Sequence, residues 1–159
     1  MSRRARQKES AGLLMYRHRD GDLEVLLAHP GGPYWTTRDD GAWTIPKGGI
    51  NPEETPFESA VREFREETGF EPTGPYDPIG HVTQRSGKIV YAWAFRGDCD
   101  PRTLTSITTQ LEWPPRSGHQ IEIPEIDRAD FFTLENARRA INVAQQEFLD
   151  RLLTVIGAS

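Results

Sequence analysis

The sequence predicts an α/β fold with a mixed β-sheet between helices, and three observations predict it. Two pairs of apolar segments separated by turn residues read as β-hairpins. A glutamate-rich amphipathic helix lies between the pairs, and a second amphipathic helix closes the chain. Strands then helix, twice over, with no internal repeat or linker, is the order expected of one domain, placed over residues 10–155. A length of 159 residues supplies enough chain for a core of its own.

Hydrophobic residues make up 36% and charged residues 27%, a globular composition, and no apolar run reaches membrane-spanning length. The net charge of −5 excludes a global attraction to extended nucleic acid or to an anionic membrane. A polyphosphate ligand would need local positive charge. The single cysteine, Cys99, excludes an internal disulfide framework and fits a reducing, cytoplasmic setting. Arg3, Arg4, Arg6 and Lys8 form a basic arm, read as a disordered tail over residues 1–9. The apolar run after it is short and broken by Arg17, unlike a secretory signal.

In order, Ala11 to Arg19 and Leu23 to His29 form the first hairpin around Asp20-Gly21-Asp22. Pro30-Gly31-Gly32-Pro33 ends the strand and leaves Tyr34 and Trp35 in a loop. Trp43 to Ile45 reads as a short strand leading to Pro46 and Lys47, and Gly48-Gly49 as a tight loop whose backbone can approach phosphate or metal. Thr55 caps the next helix, Pro56 suits its first position, Glu58 completes a capping box and Gly69 ends it. Ile79 to Gln84 and Lys88 to Arg96 form the second hairpin around Arg85-Ser86-Gly87. Its second strand is apolar on both faces, which predicts a central position. Asp98 to Gln120 reads as a long irregular segment. A short strand centred on Ala129 to Phe132 follows. Thr133 then caps a single last helix with the stripe Ala137, Ile141, Ala144, Phe148, Leu152 and Val155.

The glutamate-rich helix has two faces. Phe57, Ala60, Val61 and Phe64 form an apolar stripe. Glu63, Glu66 and Glu67 share an adjoining arc, where carboxylates repel one another and a hard divalent cation would relieve the repulsion. Arg62, four residues before Glu66, is placed to brace them.

Gly48, Glu54, Arg62, Glu63, Glu66, Glu67 and Gly69, with Phe64 and Phe70 at the apolar positions, match Gly-x5-Glu-x7-Arg-Glu-U-x-Glu-Glu-x-Gly-U, where U is a bulky apolar residue. The stretch resembles the Nudix box. The resemblance implies an α/β/α sandwich and hydrolysis of a nucleoside diphosphate linked to another group, with Mg²⁺, or Mn²⁺ in its place. It implies Glu63 and Glu67 as metal ligands, Glu66 as a third ligand or the general base, and the Lys47 carbonyl as a further ligand. Glu54 would pair with Arg62 or reach metal through water. A further carboxylate, assigned to Glu125 with Glu112 and Glu122 competing, would come from the loop before the last strand. The run from Trp43 to Gly49 resembles the lead-in to the box of diadenosine-polyphosphate hydrolases, so a dinucleoside polyphosphate or nucleoside triphosphate is the expected small-molecule substrate. ADP-ribose or a nucleotide sugar, and a non-catalytic nucleotide sensor, are the alternatives. Lys47 would hold a distal phosphate, and Trp35, Tyr34 and Trp113 would stack on a base. Arg85 and Lys88 are further phosphate candidates, with His29, Arg116 and His119 behind them. Many relatives form dimers, which leaves a homodimer open.

Overall fold

A computed structural model of the chain describes residues 8–104, 108–124 and 126–157. The arm residues Arg3, Arg4 and Arg6, and the candidate Glu125, lie outside the described residues. The strands are β1 (Glu9–Arg19), β2 (Asp22–Pro30), β3 (Lys47–Gly49), β4 (Tyr76–Thr83), β5 (Ile89–Arg96), β6 (Thr108–Glu112), β7 (Gln120–Pro124) and β8 (Ile126–Thr133). The α-helices are α1 (Pro56–Thr68), α2 (Leu134–Ala140) and α3 (Gln146–Val155).

The main sheet runs β4-β5-β1-β2-β8, with β3 beside β1. β1 and β5 are parallel and the other neighbours antiparallel, so the sheet is mixed. β1 alternates between two cores. Leu13 and Met15 meet Ala60 and Phe64 of α1 on one face, and Leu14 faces Phe148, Leu149 and Leu152 of α3 on the other. Helices thus cover both sides of the sheet, as expected. Phe64 and Phe148 are fully buried, each contributing roughly 1.5–3 kcal/mol by leaving water. No helix among the described residues is long and apolar enough to cross a membrane.

Two strands share one edge of β1. Its second half pairs with β2 from Tyr16 to Arg19, and its first half pairs with β3 through Ser10, Ala11 and Gly12. Thr44 and Ala28 exchange backbone hydrogen bonds of 2.9 and 2.8 Å, so residues 43–49 wedge between β1 and β2. This wedge carries Lys47 and Gly48 to α1.

Five expectations are corrected. Lys47 to Gly49 is a short strand, not a tight loop. Without side chains Gly48 and Gly49 give no strand signal, and the pairing is supplied by β1. Trp43 and Thr44 make single bridges, to Ile141 and Ala28, and no continuous strand. Within the segment read as irregular, Thr108–Glu112 pairs with Gln120–Pro124 as a separate two-stranded ribbon. Its Pro-rich connection hid the hairpin signal. The last helix is broken at Ile141, whose φ of −77° and ψ of 149° are extended. There the Trp43 N–H donates to the Ala140 carbonyl (3.0 Å) and the Asn142 N–H to the Trp43 carbonyl (2.7 Å). The wedge takes over bonds that helix periodicity assigns to the helix. β1 also begins at Glu9, inside the span read as tail.

Candidate active site

α1 is fixed at both ends by local chemistry. Thr55 Oγ1 accepts from the Glu58 N–H (3.1 Å), and the Thr55 N–H donates to Glu58 Oε1 (2.9 Å). Gly69 takes φ 80° and donates to the Arg65 carbonyl. With its apolar stripe on the sheet, α1 turns its glutamates towards β3. A Cβ on Gly48 would overlap the Glu63 carboxylate, so the glycine lets that carboxylate lie against the strand backbone. Glu67 is only 7% exposed and accepts from the Lys47 N–H at 3.3 Å.

Arg62 sits among the acids. Its Nε meets both Glu54 oxygens at 3.0 Å, and its Nη1 meets Glu63 at 3.0 Å and Glu66 at 3.1 Å. The Ser59 hydroxyl donates to Glu54 at 2.7 Å and, with Arg62, holds that carboxyl below the usual range. Arg62 therefore already supplies countercharge, and repulsion among Glu63, Glu66 and Glu67 does not by itself demand an ion. As their side chains stand, no three acidic, histidine or cysteine groups among the described residues converge closely enough to hold one. The donor chemistry nevertheless fits a hard divalent cation. Glu63 and Glu67 lie against the β3 backbone, where Gly48 leaves room, and Arg62 ties Glu66 to the same helix turn.

Beside Glu67 opens a cleft of about 260 Å³, lined among others by Trp35, Thr44, Lys47, Glu67, Gln84 and Asn142. Burial pushes the Lys47 ammonium below its ordinary pKa, the Lys88 charge adds to this, and Glu67 and Glu63 oppose it. Lys88 is thus within electrostatic reach of Lys47. Arg85 is exposed in the turn between β4 and β5. Trp35 lines the cleft, but Tyr34 and Trp113 do not appear on its walls. Their rings meet edge to face at 4.9 Å, so each is the other's packing partner. His29 is corrected as a phosphate candidate, because it is fully buried between Asp127 (2.9 Å) and the Arg38 carbonyl (2.5 Å). Arg116 and His119 are exposed in the connection between β6 and β7. Glu112 accepts from the Gly118 N–H and Glu122 from the Thr108 hydroxyl, both at 2.8 Å and both within the ribbon.

Sequence reasoning missed Gln84 and Asn142. Neither belongs to the box, and each reaches the cleft by a backbone path that spacing does not reveal. A larger recess of about 610 Å³ opens at the far end of β1 around Arg17, Asp98 and Cys99. Burial, reinforced by Asp98, pushes the Cys99 thiol up to about 11, which keeps it from acting as a nucleophile near neutral pH. The Glu67 cleft, unlike this recess, is lined by residues of the box and its lead-in.

Solved structures with this fold include a Caenorhabditis elegans Ap4A hydrolase binary complex, at TM-score 0.63 and 20% identity over 95% of this chain and 98% of that one. They also include the NUDIX domain of Shewanella oneidensis NrtR complexed with ADP ribose, at TM-score 0.65 and 13% identity over 93% and 87%. Among curated relatives, an RNA pyrophosphohydrolase of Xanthomonas campestris pv. campestris is 48% identical over 50 residues, covering 30% of this chain. The match spans about a quarter of that relative's length, 24%. The model of the NUDIX domain matches residues 6–152. The chain belongs to the NUDIX domain family.

Proposed function

We propose that the chain is a pyrophosphohydrolase that cleaves a nucleoside triphosphate or dinucleoside polyphosphate. The observation that carries this reading is the union of the intact box with a cleft that Lys47 and Glu67 both line. Nudix hydrolases generally use divalent metals, usually Mg²⁺. On this reading Glu63, Glu66 and Glu67, with the Lys47 carbonyl, would hold the metal. When bound, it would neutralise phosphate oxygens and lower the pKa of a water. Lys47 and Lys88 are assigned to the polyphosphate as point charges, with exposed Arg85 reaching a distal phosphate. Trp35 is assigned to stacking. Arg62 positions Glu63 and Glu66, and Glu66 is the candidate base. Tyr34 and Trp113 are assigned to the outer rim as a packed pair, and Glu125 is the proposed further carboxylate.

The similarity to RNA pyrophosphohydrolases favours one further reading, in which the polyphosphate stands at the end of an RNA. The net charge of −5 argues against tracking along an extended strand. A panel of nucleoside triphosphates, dinucleoside polyphosphates, ADP-ribose and a 5′-triphosphorylated oligoribonucleotide, assayed with Mg²⁺, decides. Turnover of the first two groups is expected. Preference for the oligoribonucleotide would select the second reading. Binding without turnover across the panel would turn the chain into a nucleotide sensor.

A further inference from the structure

The orientation of a side-chain amide is ordinarily ambiguous, because its oxygen and nitrogen look alike. Here two backbone N–H groups, which can only donate, remove the ambiguity. The Ile45 N–H points at Gln145, 3.0 Å away, so the Gln145 oxygen is the accepting atom. Gln145 is fully buried, and its NH₂ is thereby turned onto Gln84, which must accept through its own oxygen at 2.8 Å. The Gln84 NH₂ is left facing away from that bond, and Gln84 lines the cleft. The same logic fixes Asn142. Its oxygen accepts from the Ala144 N–H at 3.0 Å, and its NH₂ is left over on a residue that also lines the cleft. Neither NH₂ has a hydrogen-bond partner among the described residues. The Gln145 N–H donates to the Asn142 carbonyl at 2.9 Å, so Asn142 and the Gln145 that holds Gln84 belong to one turn. Reversing Gln84 would set NH₂ against NH₂ at Gln145, and reversing Gln145 would set NH₂ against the Ile45 N–H.

This wall of the cleft therefore offers two fixed donors. Trp35 stacks on any base alike, so selection falls to the amides. The cleft of about 260 Å³ suits a single base. Guanine and hypoxanthine carry a carbonyl oxygen and a ring-nitrogen acceptor side by side, whereas adenine puts an amino donor at the carbonyl's place.

We propose that Gln84 and Asn142 select a keto purine over adenine, with Gln145 as the positioning residue that fixes the polarity of Gln84. The proposal rests on the cleft being the substrate site assigned above. It is tested by kcat/KM for GTP, ITP and ATP, which share one triphosphate chain. In parallel, equilibrium binding of the same three nucleotides is measured on Glu67→Gln. GTP and ITP are expected to exceed ATP by about tenfold or more in both measurements. Gln84→Glu puts an acceptor on the cleft wall and is expected to abolish or reverse the ratio. Gln145→Met frees the Gln84 amide to turn and should bring the ratio towards one, whereas a merely structural role would lower all three substrates together. Equal values for the three nucleotides, or an ATP preference, in the wild type overturns the proposal. So does an unchanged ratio in Gln84→Glu, which is readable even if the buried Gln145 variant does not fold. Absence of turnover with the binding preference intact would sink the hydrolase reading alone, and absence of binding by all three would sink both.

Discussion

Two arginines hold carboxylates at opposite ends of β1, and they do different work. Arg17 lies over the Phe131 ring at 3.6 Å and bridges Glu24 (2.8 Å) and Asp98 (2.7 Å), with Arg19 lining the same recess. That group approaches charge balance and pins the β1–β2 hairpin to the segment after β5. Arg62 faces Glu54, Glu63 and Glu66, with Glu67 on the next turn face. Arg62 and the Lys47 ammonium together stand against four carboxylates, so the region keeps a surplus of negative charge beside the cleft. Equivalent ion-pair geometry thus serves as a clamp where charges balance and as a candidate cation site where they do not.

The largest expected effect breaks the site and spares the clamp. Glu67→Gln retains an acceptor for the Lys47 N–H, so stability should hold while kcat falls about a hundredfold or more. Steady-state kinetics and a thermal melt check both halves, and undiminished turnover would remove Glu67 from the chemistry. Next, Gly48→Ala must displace the Glu63 carboxylate, and about a tenfold loss of kcat/KM is expected. Gly49→Ala meets nothing within 4 Å and should be close to silent, which makes the pair its own control.

The arginines themselves sharpen the contrast. Arg17→Ala should cost about 1–2 kcal/mol in urea unfolding, discounted because Asp98 is 71% exposed, with kcat unchanged. Arg62→Ala should instead lower kcat more than it lowers the unfolding midpoint. The smallest effect is on pH dependence. The Arg17 guanidinium holds the Asp98 carboxyl below its ordinary range, and the Ser59 hydroxyl with Arg62 does the same for Glu54. A depressed folded pKa contributes stability that is fully present above the ordinary carboxylate value near 4 and is lost as pH falls through the folded value. Urea midpoints between about pH 6 and pH 2.5 should therefore fall less steeply in Asp98→Asn and Glu54→Gln than in the wild type.

What was legible in the sequence is what short-range chemistry encodes. α1 could be read because its cap, stripe and stop lie within fifteen consecutive residues, from Thr55 to Gly69. β5 could be read as central because both its faces are apolar, and it lies between β4 and β1. The bracing of the glutamates by Arg62 followed from helix spacing, and the pairing of Glu54 with Arg62 from the resemblance to the box. β3 was not legible, since glycines carry no pattern and the strand exists only because β1 is there to pair with it.

By itself the sequence determined the acid-bearing helix, its orientation on the sheet and the family to which the chain belongs, because those depend on contacts a few residues apart. Only the tertiary structure decided that the last helix breaks at Ile141, that Gln145 reaches back to Ile45, and that Gln84 and Asn142 share a cleft wall with Lys47 and Glu67. Those outcomes turn on backbone groups some hundred residues apart finding one another, and a backbone N–H looks the same at every position of the chain.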